Sequence, residues 1–179
     1  MTLPEPDMIT YKALKRAGLI PELVSKFKPR VKLEVQYPGG KEVALGNKLT
    51  PAETKEEPKF IISPEDEKAV YTLVMLDPDA PSTTDHKYGP WRHWVVCNIT
   101  DDGDDIEQPT PYWGPGPGAG TGVHRYCFLL FKQLEGLQIV HAMPHRELKD
   151  RRNFDLNDFI DLHQLEPVGA NFFLCEAEQ

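Results

Sequence analysis

No stretch of the 179-residue chain reads as a leader or a membrane span. The opening MTLPEPDMITY lacks a basic region followed by an apolar core, and no apolar run approaches the roughly 20 residues of a spanning helix. The cytoplasm is therefore the expected compartment. Clustered positive charge is also missing: 20 Lys and Arg face 28 Asp and Glu, for a net charge of −8, which argues against a nucleic-acid partner. The three cysteines, Cys97, Cys127 and Cys175, have no C-x-x-C spacing, and buried reduced thiols are expected. There is no G-x-S-x-G elbow for a serine hydrolase. The acidic run Asp101 to Asp105 lacks the spacing of a calcium loop, and Pro144 interrupts any helix that would align His141 with His145 on a metal. Neither a cofactor nor a metal is expected. With 40% apolar and 27% charged residues the composition is globular, and the length suits a single domain over residues 1–179, expected to be monomeric.

What the chain does have is concentrated between Tyr71 and Phe131. Period-two patterns place Tyr71, Leu73, Met75 and Asp77 on one face of a strand, with Thr72, Val74 and Leu76 on the other. Pro78 and Pro81 then stop the strand, leaving Asp77 at its C-terminal end. In the next run Trp91, His93, Val95 and Cys97 are expected to share a face, and in the third His124, Tyr126, Phe128 and Leu130. If the first strand is antiparallel to the other two, a carboxylate, two imidazoles and a phenol meet at one end of a sheet.

Between the second and third runs lies Gly114-Pro115-Gly116-Pro117-Gly118-Ala119-Gly120-Thr121-Gly122. Such a loop lets backbone approach a ligand, and its free N–H groups can face an anion. Gly114 to Ala119 matches G-x-G-x-x-A, but a strand pattern follows where a dinucleotide fingerprint needs a helix. A P-loop is excluded because no Gly-Lys-Ser/Thr follows. The pattern suits a pocket for a phosphate- or carboxylate-sized group, with Tyr88 and Tyr126 as hydroxyl donors and Trp91 and Trp113 as apolar wall.

Outside this region, helical spacing broken around Gly18 and Pro21 predicts two short helices over Met8 to Phe27, packed on the sheet. Val31 to Val35 alternates as a strand, Tyr37 to Gly40 turns, and Lys41 to Leu45 returns. A solvated loop over Thr50 to Pro58 and a strand over Lys59 to Ile62 follow. The sequon Asn98-Ile99-Thr100 is read as coincidental, and Gln138 to Arg152 as polar and irregular. A helix is expected from Leu156, capped by Asn153 or Asp155. Pro167 to Ala170 is read as a turn into a last strand, Asn171 to Leu174.

The runs DPDAPS (Asp77 to Ser82), Tyr88 with Trp91 and His93, and GTGVHRY (Gly120 to Tyr126) resemble the signature segments of the phosphatidylethanolamine-binding proteins. The N-terminal layout is most similar to fungal members related to the carboxypeptidase Y inhibitor. The resemblance covers about residues 20 to 173. It implies a mostly β fold with a central antiparallel β-sheet, a smaller sheet on one side and short helices on the other. It also implies an anion pocket lined by Asp77, Ala80, Pro81, Tyr88, Trp91, His93, Trp113, Gly116, Pro117, His124 and Tyr126. Three departures bear on ligand preference: Gly118 makes one wall more flexible, Trp113 narrows the mouth, and Thr83 replaces a basic residue at the rim. The chain also stops short of the C-terminal helix usual in animal members, which would leave the pocket more open.

The same groups invite a catalytic reading, in which Asp77 and a histidine act on Ser82 or hold zinc. Ser82 follows a proline in a turn with no assigned base, and the neighbouring donors suit an anion better than a cation. A non-enzymatic binding protein is expected, taking phosphate or a phosphorylethanolamine-like anion. By resemblance it inhibits a serine carboxypeptidase-type peptidase or modulates a kinase pathway; phospholipid-headgroup binding is the alternative. Protonation of His93 or His124, at an ordinary pKa of about 6.5, is expected to tighten anion binding below neutrality.

Overall fold

The computed structural model of the chain describes residues 6–64 and 66–178. In chain order it forms α1 (Met8–Arg16), α2 (Leu19–Glu22), β1 (Lys32–Tyr37), β2 (Lys41–Glu42), β3 (Asn47–Lys48), β4 (Lys59–Ser63), β5 (Tyr71–Asp77), β6 (Trp91–Ile99) and β7 (Glu107–Thr110). It continues with β8 (His124–Gln133), a 3-10 turn (Leu148–Arg151), α3 (Leu156–Leu162) and β9 (Leu165–Cys175). A six-stranded sheet has the order β3-β9-β8-β5-β6-β7, and a three-stranded sheet the order β2-β1-β4. All pairings are antiparallel except that of β3 with β9.

The large sheet is covered on both faces, which is why β5 reads as a nearly unbroken apolar run and is buried throughout. Leu73, Met75, Phe128 and Leu130 pack against Leu33, Val35 and Tyr37 of the small sheet. On the opposite face, Val74, Leu76, Leu129 and Phe131 meet Leu14, Leu19, Ile20, Leu23 and Phe27 from the N-terminal helical segment and Phe159 from α3. Strand β1 has water on its outer side, so Lys32, Glu34 and Gln36 alternate with buried residues. Asp7 caps α1 by accepting from Thr10 N at 3.1 Å, and Gly18 breaks the helical segment at φ 77°. Of the two short helices expected over Met8 to Phe27 the first forms, whereas the second is a four-residue turn broken at Ile20 (φ −104°, ψ 118°) with no helix beyond Glu22; residues 1–5 lie outside the described residues.

Several expectations need correction. The return from the first turn is a two-residue strand, because Leu45 and Gly46 adopt positive φ and divert the chain into β3 beside β9. The Thr50 to Pro58 loop is not uniformly solvated: Thr54 is buried, and its carbonyl accepts from Tyr112 Oη at 2.7 Å. The segment Pro167 to Ala170 is not a turn. It lies within β9, where the register against β8 shifts between Leu130 and Phe131 and the Val168 carbonyl accepts from both Arg30 N and Val31 N. Asn98 is buried in hydrogen bonds with Gln133 and Gln138, so its sequon is inaccessible in the folded chain. Asp155, not Asn153, caps α3.

Gly169 of β9 lies against the residue that precedes β1, and a Cβ there would lie 2.6 Å from the Val31 carbonyl oxygen. The backbone bonds to Val168 at 2.9 and 3.0 Å prevent retreat. Gly169→Ala is therefore expected to cost about 1–3 kcal/mol and lower the melting temperature by roughly 3–10 °C. Melting like the wild type would show that this junction can yield.

Candidate functional site

Because β5 runs antiparallel to β6 and β8, Asp77, His93 and His124 do lie at one end of the large sheet. Asp77 and His124 arrive there by simple alternation. His93 does not. Val95 pairs with Val74 and belongs to the helix-side core, so strict alternation would point His93 away from Asp77. A β-bulge intervenes: Met75 pairs with Trp94 but Leu76 pairs with Arg92, leaving His93 as the extra residue. The bulge returns Trp91 to the Asp77 side and sets the His93 ring 4.4 Å from Trp91 and 5.2 Å from Tyr126.

All eleven residues assigned to the site line one cavity of about 330 Å³, joined by Gly114, Gly118, Thr121, Leu148 and Arg152. A larger hollow of about 750 Å³ lies over the outer face of the small sheet, but no imidazole or buried carboxylate converges on it. Size alone does not select the site; the polar groups do.

Those groups form a closed chain of hydrogen bonds. Asp77 Oδ1 accepts from Asp79 N at 2.7 Å, while Oδ2 meets His124 Nδ1 at 2.8 Å. His124 Nε2 meets Thr121 Oγ1 at 2.8 Å, and that hydroxyl donates to the Gly118 carbonyl at 2.7 Å. The turn-capping and site roles of Asp77 thus coexist. Burial, reinforced by the charge of the Asp77 carboxylate, holds the Tyr126 phenol well above the ordinary value. Gly118, expected to loosen the wall, is tied to Thr121 through both N–H and hydroxyl.

His93 behaves differently. Nδ1 lies 2.6 Å from the Trp113 carbonyl, which can only accept, so Nδ1 carries the proton and Nε2 on the opposite edge is an acceptor. Burial lowers the His93 pKa to about 4, outweighing Asp77 and the Trp113 carbonyl, with the Arg151 cation adding to the depression. The expected gain of a cationic donor at His93 just below neutrality is therefore corrected: the ring stays neutral there.

The principal omission of the sequence reading is Arg151. Its guanidinium, 2% exposed, donates to the carbonyls of Arg92, His93, Pro111 and His145 at 3.0–3.2 Å and lies 5.5 and 5.3 Å from the rings of Trp91 and Trp113. Burial brings its pKa down to about 10, which leaves it charged at neutral pH. Arg152 follows at the rim, its guanidinium 3.8 Å from the Tyr88 ring, with Lys87 5.2 Å from the same ring. The cation forgone at Thr83 is thus supplied from elsewhere. Arg125, within the quoted GTGVHRY run but given no role, holds Asp79 through Nε and Nη2 at 2.9 and 2.7 Å. Burial alone would raise the Asp79 pKa, but the Arg125 contacts prevail and lower it.

The model of the family described as "Phosphatidylethanolamine-binding protein" matches residues 39–173. The chain belongs to that family. CEN-like protein 1 of Nicotiana tabacum is 35% identical over 164 residues, covering 90% of each chain. Protein FLOWERING LOCUS T of Arabidopsis thaliana is also 35% identical, covering 89% of this chain and 88% of its own. Among solved structures, the carboxypeptidase Y inhibitor complexed with its cognate proteinase superposes with a TM-score of 0.82 at 27% identity, over 96% of each chain. The phosphatidylethanolamine-binding protein from Plasmodium vivax gives 0.76 at 26% identity, over 99% of this chain and 100% of its own.

In this family member, His93 links the site to stability. Its folded pKa is about 4 against an ordinary value of 6.5, so the unfolded chain takes up the proton first as pH falls. The stability associated with the neutral ring is complete above pH 6.5 and is lost progressively toward pH 4, by about 3 kcal/mol. Denaturant titrations of wild type and His93→Gln should show a wild-type curve that falls more steeply by this amount over that window. Parallel curves would contradict the buried neutral imidazole.

Proposed function

We propose that the chain is a non-enzymatic regulator whose rim cavity binds a phosphate-type anion and whose partner is a protein, with a serine carboxypeptidase-type peptidase as the leading candidate. The observation that supports the non-enzymatic reading is the internal engagement of His124, Ser82 and the three thiols. Both nitrogens of His124 are held, by Asp77 and Thr121, so the ring offers neither a free base nor a metal-ligating lone pair. Ser82 Oγ accepts from Asp85 N at 3.1 Å and lies 3.3 Å from Thr84 Oγ1, within its own exposed turn. The thiols of Cys97, Cys127 and Cys175 are buried, and burial pushes each up to about 12, where they are poor nucleophiles.

What the cavity retains is a fixed, partly positive frame. Arg151 supplies a buried charge behind Trp91 and Trp113, Arg152 a second at the rim, and Tyr88 a hydroxyl. His93 Nε2 contributes an acceptor, which a fully deprotonated oxyanion cannot satisfy but a P–OH can. The preferred anion is therefore a phosphomonoester in its singly protonated form, and the ligand rather than His93 provides the pH dependence. The peptidase reading is supported by the likeness to an inhibitor solved with its cognate proteinase. Modulation of a kinase pathway, which rests on the family resemblance, is the second reading.

Calorimetric titration tests the pocket. n-Propyl phosphate should bind more tightly at pH 5.5 than at pH 8, because the second proton of a phosphomonoester leaves near pH 6. n-Propyl sulfate, of similar shape but with no such proton, should bind about tenfold more weakly at pH 5.5, a difference of roughly 1.4 kcal/mol. Equal affinity for the two esters, or affinity surviving in His93→Ala, would refute this role. Separately, the protein should inhibit a serine carboxypeptidase in a peptide-hydrolysis assay at micromolar concentration, and unaltered hydrolysis would remove the peptidase reading while leaving the pocket.

A further inference from the structure

Strand β4 is open along one side. Among the described residues it pairs only with β1, so alternate N–H and C=O groups between Lys59 and Ser63 face outward with no neighbouring strand. Pro58, Lys59 and Pro64 blunt its two ends, but Ile61 at its centre is 61% exposed. Beside this edge lies a groove of about 280 Å³. Phe60 and Ile62, which pack inward from β4, line it together with Tyr71 and Ile99 of the large sheet and with Ile106, 43% exposed, from the connection to β7. The groove sits where β5 begins and β6 ends, at the end of the large sheet opposite the anion cavity, and the two share no lining residue.

The rim of the groove is acidic. Asp66 and Asp101 line it, and Asp102, Asp104 and Asp105 follow in the same exposed turn. None of these five carboxylates is paired with a cation among the described residues. Lys68 is the single basic residue in the connections 64–70 and 100–106. An acidic turn alone is a solvated feature. Beside an open strand edge and an apolar groove, it selects the sign of what docks there.

We propose that the free edge of β4 accepts an extended, basic segment of a protein partner as an added strand. An apolar side chain of that segment enters the groove, and its Lys or Arg residues meet Asp66 and the Asp101 to Asp105 turn. Main-chain bonds to β4 hold the segment, the groove reads alternate side chains, and the carboxylates favour basic over acidic sequences.

The probe is the blocked heptapeptide Lys-Lys-Thr-Ile-Thr-Lys-Lys, titrated at low ionic strength into the whole chain labelled with nitrogen-15 and followed through its backbone amide signals. The amides of Phe60 to Ser63 and Ile106 should shift together, with a Kd below about 1 mM. Exchanging the lysines for Glu, or N-methylating the central Thr-Ile-Thr amides to remove their strand donors, should weaken binding at least about tenfold. In the protein, combined Asp101→Asn, Asp104→Asn and Asp105→Asn should weaken it about tenfold, and Ile106→Gln about threefold. Asp102 is left intact because it holds the turn, accepting from Thr100 Oγ1 at 2.8 Å and Asp104 N at 3.0 Å. Thermal melts of the variants that match the wild type tie the losses to the groove. The inference is overturned by unmoved β4 amides at 1 mM peptide, by shifts confined to the anion cavity, by equal binding of the Glu or N-methylated peptide, or by unchanged affinity in either variant.

Discussion

Paired with no carboxylate among the described residues, the buried guanidinium of Arg151 directs its donors at the carbonyls of Arg92, His93, Pro111 and His145. Hydrogen bonds from a charged donor contribute about 1.5–3 kcal/mol each, so four of them offset a desolvation penalty of several kcal/mol. Two of the four carbonyls belong to the β6 bulge. The His93 carbonyl also accepts from Trp113 N at 3.0 Å, so the bulge, the start of the Gly-rich loop and the 3-10 turn are fastened at one point. Without that fastening the bulge has little to preserve it, and an ordinary ladder would turn His93 toward the helices. The orientation of an imidazole on β6 thus depends on an arginine 58 positions away.

The second polar chain, from Asp77 through His124 and Thr121 to Gly118, does for the loops what Arg151 does for the strands. It ties the Gly-rich loop to the end of β5, and Thr83 N reinforces it by donating to the Thr121 carbonyl at 3.0 Å. Gly122 shows how closely these loops meet: at φ 89°, a Cβ would lie 2.5 Å from Thr83 Oγ1. Thr83 is accordingly a packing residue against the Gly-rich loop. Small residues on both sides allow the contact, and positive charge enters the site from the 3-10 turn instead.

How far the sequence disclosed this site depends on what kind of regularity places each residue. Asp77, His124 and Tyr126 follow from alternation because β5 and β8 pair in continuous register over the site end. His93 was expected among them, but the alternation that suggested it does not survive in β6; the bulge supplies the same result by another route. Pro167 and Gly169 look like turn residues, yet they serve a register shift and a close approach of backbone, uses that share the same residue types. Arg151 and Arg152 carried no signal at all. Two arginines in a polar stretch ordinarily mark a solvated surface, and only the tertiary fold shows that one is buried behind two tryptophans. The two-sheet architecture was more legible, since a half-exposed β1 and a fully buried β5 have distinct patterns.

Arg125 connects the cavity to the rest of the molecule. It donates to both oxygens of Asp79 on one side, and on the other reaches the Ala17 carbonyl and Glu22, each at 2.8 Å. Asp79 in turn supplies the N–H that Asp77 accepts. The N-terminal helical segment is therefore attached to the wall of the cavity through one guanidinium and a nearly inaccessible carboxylate. Leaving a buried carboxylate without its partner costs several kcal/mol, so the segment and the wall are not independent bodies. Any shift of the N-terminal segment would act on Asp79 and, through its N–H, on the carboxylate that orients His124. The N-terminal helical segment and the wall of the cavity are thus mechanically joined.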